Sequence, residues 1–170
     1  MNIHARPSGV IELPLGRGLV TLVDAAEVPA LVVWTWNALR RPGGRGWYAV
    51  RWEETDGRRR SVYLHRFLLS APPDSEVDHI NRDTLDNRRA NLRLCTASLN
   101  AVNKAVRSPS TGFRGVYRSG IAYRAQVTIG GQRRSLGQFP SPEAAARAYD
   151  EAARVVFGSF ARLNFAEELP

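Results

Sequence analysis

An acid and an imidazole stand side by side at Asp78 and His79, with Asn91 twelve residues after the imidazole and Asn100 nine beyond that. A hard divalent cation such as Mg²⁺ prefers oxygen ligands, keeps several waters, and takes only one or two protein oxygens beside a substrate phosphate. Asp78 and Asn100 could be those two. An imidazole titrates near neutrality, so His79 could accept a proton from water as it attacks phosphorus, a step worth roughly 10²–10⁴-fold in rate. The set suits metal-dependent hydrolysis of a phosphodiester. Singly, an Asp-His pair is more often a solvated turn, and Asp-Asn-Arg strings often only make Asx turns. The joint spacing carries the reading.

These side chains need elements to aim them. Glu76 to Ile80 reads as a short strand, Asn81 to Ala90 as a turn-rich loop, and Leu92 to Cys95 as the returning strand. Thr96 is then a natural N-cap for a helix of Ala97 to Ala105, because its hydroxyl can accept an unpaired backbone N–H. Asn100 and Asn103 would share a face of that helix. The expectation is a hairpin plus helix around one metal.

Leu64-His65-Arg66-Phe67-Leu68, Val77-Asp78-His79-Ile80-Asn81, Leu85-Asp86-Asn87-Arg88-Arg89-Ala90-Asn91-Leu92-Arg93 and Asn100 together resemble the HNH homing endonucleases, in the subgroup whose last motif residue is Asn. The resemblance implies a ββα-metal site acting on nucleic acid. It would make Asp78 and Asn100 the metal ligands and His79 the general base, while Asn91 would brace the loop between the strands. Arg82 stands where the family usually has Gly, so the turn after Asn81 is a point of departure. His65 reads as a packing or hydrogen-bonding residue beneath the site.

Composition agrees with a small nucleic-acid enzyme. In 170 residues, 24 basic and 16 acidic side chains leave a formal charge of +8, which favours an anionic polymer as partner. Cys95 is the lone cysteine, so neither a disulfide framework nor a Cys₄ zinc site is available, and its plain reading is a small buried strand residue. No charged leader precedes a long apolar run, and the most apolar stretch, Val28 to Trp36, is too short to span a bilayer. The expectation is an intracellular, cytoplasmic protein that is not secreted.

The charge is concentrated. Between Asp86 and Glu143 there is no acidic residue, yet Arg88, Arg89, Arg93, Lys104, Arg107, Arg114, Arg118, Arg124, Arg133 and Arg134 fall there. Residues 113–139 of that run read as three strands. Tyr123, Ala125, Val127 and Ile129 alternate with Arg124, Gln126 and Thr128, Gly130-Gly131 makes a tight turn, and the chain returns from Gln132 to Phe139. Arg133 and Ser135 share a face in the return strand, in a register that alternation leaves open. Ser141-Pro142-Glu143 starts a helix whose stripe of Ala145, Ala148, Tyr149, Ala152 and Val156 could back the sheet, with Gly158 ending it.

Gly112 to Tyr117, Leu136 to Phe139, Ala144 to Ala153 and Ala161 to Phe165 resemble the AP2 DNA-binding domain. Members of that family lay the sheet in the DNA major groove. The resemblance would turn Arg114, Tyr117, Gln126, Thr128, Arg133 and Ser135 toward bases or phosphates, with Arg118 and Arg124 as further phosphate contacts. Tyr117, Thr128 and Ser135 depart from the residues usual there, so the base preference does not transfer.

The first 62 residues are less informative. Leu19 to Val23 and Trp47 to Trp52 read as strands, Thr55-Asp56-Gly57 as a hairpin turn, and Arg59 to Leu64 as the partner strand, with the four tryptophans in core or rim. The fold class expected is α+β: an N-terminal β-hairpin region (1–62), a ββα-metal HNH module (63–106), a basic linker (107–111), and an AP2-like three-stranded antiparallel sheet on one helix (112–168). The function expected is a homing or phage-type DNA endonuclease using a divalent metal, Mg²⁺ with Mn²⁺ as the alternative. Its partner is double-stranded DNA, with no membrane and no obligatory protein partner. The rival is a sequence-specific DNA-binding regulator whose HNH part is a silent scaffold; the intact Asp78, His79, Asn91 and Asn100 weigh against it.

Overall fold

A computed structural model describes residues 4–5, 9–41, 46–103 and 110–165. It is α+β, with small antiparallel sheets and short helices in two compact units, Met1–Thr96 and Ala97–Pro170. Among the described residues no helix is long and apolar enough to cross a membrane.

The first unit opens with three antiparallel strands, β1 (His4–Ala5), β2 (Val10–Pro14) and β3 (Val20–Asp24). A short helix α1 (Val28–Leu31) leads to a second sheet of β4 (Asn37–Arg40), β5 (Trp47–Thr55) and β6 (Arg58–Tyr63). Asp56 and Gly57 both take positive φ at the β5–β6 turn, the backbone that a right-twisted two-residue hairpin demands. Leu64, expected to finish a strand, instead begins helix α2 (Leu64–Leu68), which sinks Leu64 and Leu68 into the core. Next comes a hairpin of β7 (Glu76–His79) and β8 (Leu92–Cys95), pairing Val77 with Leu94, Asp78 with Arg93 and His79 with Leu92.

One core joins these pieces. Leu13, Val23, Leu31, Trp36, Ala49, Leu64, Leu68, Val77 and Leu92 are buried together, so every strand pair and both helices of the unit contribute to it. Trp36 is in this core, while Trp34 at the rim lies under the Arg51 guanidinium, whose Cζ is 4.0 Å from its ring centroid. Cys95 is buried at the end of β8.

The second unit begins with helix α3 (Ala97–Asn103); the expected extension to Ala105 and most of the linker 107–111 fall outside the described residues. Then come β9 (Val116–Ser119), β10 (Ala122–Ile129) and β11 (Gln132–Phe139) in one antiparallel sheet with β10 central, followed by α4 (Pro142–Phe157). Ser141 caps α4 by accepting from Ala144 N at 3.2 Å, Pro142 fills the first turn, and Gly158 ends the helix at positive φ. The buried line on α4 is Ala145, Ala146, Tyr149, Asp150 and Ala153, not the expected stripe reaching Ala152 and Val156; Val156 is 38% exposed.

Asp150 explains that rotation. Its carboxylate, 2% exposed, accepts from Asn164 N (2.8 Å), Asn164 Nδ2 (3.0 Å) and Phe165 N (3.0 Å), anchoring the segment after the helix. Asn164 in turn accepts from Arg114 N and donates to Arg114 O, tying that segment to the start of the sheet. An apolar tally cannot register an acid that faces inward because three N–H groups await it. Gly115, at φ +73°, lets the same turn press against α4, where a Cβ would come within 2.1 Å of the Tyr149 ring.

Candidate active site

The β7–β8 hairpin is closed by residues 80–91, a long polar stretch whose backbone groups need partners. The side chains supply many of them. Asn91 spans the loop, its Oδ1 accepting from Asn81 N at 2.9 Å and its Nδ2 donating to Asp86 O at 2.7 Å. The Asp86 carboxylate accepts from Asn81 Nδ2 (2.8 Å), Arg88 Nε (2.7 Å) and Arg88 Nη2 (2.6 Å), and the Arg88 guanidinium holds its pKa below the usual carboxylate range. Arg82 takes φ 67°, the left-handed backbone that a glycine would adopt, so the loop turns there despite the side chain.

The rest of the loop is held from outside the hairpin. Leu22 N donates to Leu85 O and Asn87 N donates to Leu22 O, both at 2.8 Å, adding a parallel bridge to the edge of β3. Thr21 Oγ1 donates to Leu85 O at 2.7 Å, Thr84 Oγ1 to Trp47 O at 2.5 Å, and Arg89 N to Asp24 Oδ2 at 2.8 Å. Arg89 also pairs with Glu27. The N-terminal sheet therefore frames the loop.

Asp78 and His79 end β7, and both are buried, at 4% and 6% exposed. His79 Nε2 lies 3.3 Å from Asn87 Oδ1. Its ring meets the His65 ring edge-on at 5.1 Å, and His65 is itself boxed by Tyr48 and Tyr63 at 5.4 and 5.5 Å. Burial lowers the His79 pKa below 6.5, against the opposing pull of the Asn87 hydrogen bond and of Asp78, Asp83 and Asp86. Burial, with His79 and Arg66 adding to it, lowers His65 to about 3. Both imidazoles are neutral at physiological pH, and His79 has the form a proton acceptor needs.

Asp78 pairs across the hairpin with Arg93, whose Nε and Nη2 donate to its Oδ2 at 2.9 and 2.6 Å. The pair holds Oδ2 and sets a positive charge against the carboxylate. Among the described residues no cluster of three or more His, Cys, Asp or Glu side chains could cage a metal. The Asp78 carboxylate is an oxygen donor of the kind Mg²⁺ takes from few protein ligands, unlike the nitrogen and sulfur set of a tetrahedral zinc. Asn100 is half-buried on α3, in the second unit.

The sheet of the second unit has one open face. Register pairs Tyr117 with Arg124, Gln126 with Ser135 and Thr128 with Arg133, which puts all six on the side away from α4. A β-bulge between Ala125 and Gln126 sets this pairing, with Leu136 as the extra residue turned into the core and Gly137 at φ 116°. Alternation alone could not foresee it. Arg118 does not share the open face: it opposes Tyr123, on the helix-side parity, and its Nε donates to Gly120 O at 3.4 Å. Arg114 precedes β9, and its Nη1 donates to Val102 O of α3 at 2.6 Å. A cleft of about 560 Å³ opens here, lined by Ser98 and Val102 of α3 with Arg114, Tyr117, Gln126, Thr128 and Arg133.

Three residues in the geometry had no assigned role in the sequence. Arg93 follows from the hairpin register, which would have set it opposite Asp78. Asn87 sits inside the motif and shows itself only by facing His79. Thr21 carries no local signal beyond being the one polar residue in Leu19 to Val23.

β7 thus ends on an acid and a buried imidazole, and Asn and Asp side chains pin the connecting loop. Residues 70–102 match the family model described as HNH endonuclease. The chain is also 30% identical to an uncharacterized HNH endonuclease, L560, of Acanthamoeba polyphaga mimivirus, over 88% of this chain and 76% of that protein. The chain belongs to the HNH endonuclease family.

Proposed function

We propose that the DNA cleavage implied by this membership depends on a divalent metal, Mg²⁺ or Mn²⁺, and that the C-terminal sheet, read as AP2-like, chooses where it occurs. The observation that carries the proposal is the buried His79 beside Asp78 at the end of β7, where Asn87 of the hydrogen-bonded loop that follows meets its ring. Asp78 and Asn100 would hold the ion through oxygen, and when bound it would offset charge on the scissile phosphate and the leaving 3′ oxygen. His79 takes a proton from the attacking water. Asn91 keeps the loop that presents it in shape, and Arg93 keeps the Asp78 carboxylate oriented. The products would carry 5′ phosphate and 3′ hydroxyl.

The open sheet face supports the targeting half. Tyr117, Arg124, Gln126, Thr128, Arg133 and Ser135 lie together, polar and accessible, while α4 covers the opposite side. Arginine grips phosphate or pairs bidentately with guanine at about 1–3 kcal/mol per good base contact. Arg118, on the other parity, would reach only flanking phosphates, while Arg114 lines the cleft beside Tyr117 and Gln126. The homing or phage-type role belongs to the same proposal.

The test is cleavage of supercoiled plasmid and phage DNA by the full chain and by His79→Ala, with Mg²⁺, with Mn²⁺ and with EDTA. Metal-dependent nicked or linear product that His79→Ala loses by at least about a hundredfold supports the nuclease mechanism. Tight DNA binding with no product under either metal would move the chain to the regulator reading.

A further inference from the structure

We infer that Thr21, on β3 of the N-terminal sheet, is a positioning residue of the nuclease site, acting on His79 through the amide of Asn87. The inference rests on the reading of His79 as the proton acceptor. Thr21 is fully buried, and its one hydroxyl hydrogen goes to Leu85 O at 2.7 Å. Only lone pairs remain on Oγ1, so the Asn87 group facing it must be the donor: Nδ2 to Oγ1 is 2.7 Å. The second amide hydrogen points toward Thr84 O at 3.4 Å.

With its NH₂ so committed, Asn87 turns Oδ1 to His79 Nε2. A carbonyl oxygen only accepts, so the neutral imidazole carries its hydrogen on Nε2 and its lone pair on Nδ1. The reversed amide would set Oδ1 against two oxygens with no hydrogen between. Asn87 is 1% exposed, which leaves no bulk water to repair that mismatch. The backbone bridges of Leu22 to Leu85 and Asn87 hold the two side chains adjacent, whatever stands at position 21. Thr21 lies far upstream of the matched segment 70–102, so this sheet is a working part of the nuclease unit.

The experiment uses the full chain with ¹⁵N-labelled histidine, free of metal at neutral pH, as wild type, Thr21→Val and Thr21→Ser. Two-bond ¹H–¹⁵N correlations, assigned with His79→Ala, report which ring nitrogen bears hydrogen. Single-turnover cleavage and DNA affinity are measured on the same proteins. The expected result is an Nε2–H signature for His79 in wild type and Thr21→Ser. Thr21→Val should give a mixed signature, a cleavage rate lower by roughly tenfold, the equivalent of one lost buried hydrogen bond, and unchanged DNA affinity. Hydrogen on Nδ1 in the wild type overturns the inference, even if Thr21→Val fails to fold. So does a Thr21→Val protein with wild-type signature and rate, or equal losses in Thr21→Ser. An inactive wild type with a Thr21-dependent Nε2–H signature would fault the nuclease reading instead.

Discussion

Arg82 in the loop and His65 on α2 carry opposite lessons. Arg82 sits at φ 67°, where a Cβ costs roughly 1–2 kcal/mol and glycine costs only chain entropy. Arg82→Gly is expected to raise the unfolding free energy by about 1 kcal/mol in urea titrations, with cleavage unchanged. His65 is the reverse case, a burial that costs stability in acid. Folded, it stays neutral down to about pH 3; unfolded, it takes up a proton near 6.5. Below 6.5 the unfolded state binds the extra proton, so stability falls as pH falls, by about 1.4 kcal/mol per unit from this group, until about pH 3. Above 6.5 the group contributes no slope. Asp86, with its lowered pKa, adds loss in the same direction as it protonates. Urea melts between pH 7 and pH 4 should show the decline, with a shallower slope in His65→Phe; a flat profile would contradict the burial.

Among the elements, the β7–β8 hairpin and the C-terminal sheet differ in what they require from their surroundings. The hairpin's strands and the polar loop between them were legible in the residues, because alternation and Asx-forming side chains act locally. The partners of the loop were not, since Leu22, Asp24 and Trp47 lie tens of residues away. In the C-terminal unit the strands, the Gly130-Gly131 turn and the Ser141 cap followed from local chemistry. The buried line of α4 and the register of β11 did not: an inward acid decides one, a bulge the other. At Gly115 the turn before β9 lies close against α4. Gly115→Ala would need the Tyr149 ring and Gln126 O, 2.7 Å away, to give way at a positive φ. A loss of about 3 kcal/mol is expected from overpacking plus backbone strain. Thermal melts by circular dichroism check it, and DNA binding should fall with the fold.

For the whole chain, the formal charge of +8 and the acid-free run from Asn87 to Pro142 set how it meets DNA. Affinity should fall steeply with salt, because each phosphate neutralised releases condensed counterions. Arg124→Ala and Arg133→Ala, on the open sheet face, are each expected to lower the slope of log affinity against log salt by roughly 0.9 if they meet phosphate. If either meets a base, the slope holds and discrimination among sequences relaxes. Fluorescence anisotropy across a salt series separates the two, and Arg118→Ala, on the other parity, should move the slope less.

The sequence by itself determined the chemistry and the parts: an acid–imidazole pair with spaced asparagines, a basic three-stranded segment, a capped helix. Residue type and short-range periodicity are local properties, and they survive without coordinates. Tertiary structure alone decided the environment of each group. It buried His79 against His65 and Asn87, set Arg93 on Asp78, turned Arg118 off the sheet's open face, and recruited Thr21 from a distant strand. Burial, cross-strand register and hydrogen-bond partners depend on which distant segments pack together, and no local pattern in the chain records that.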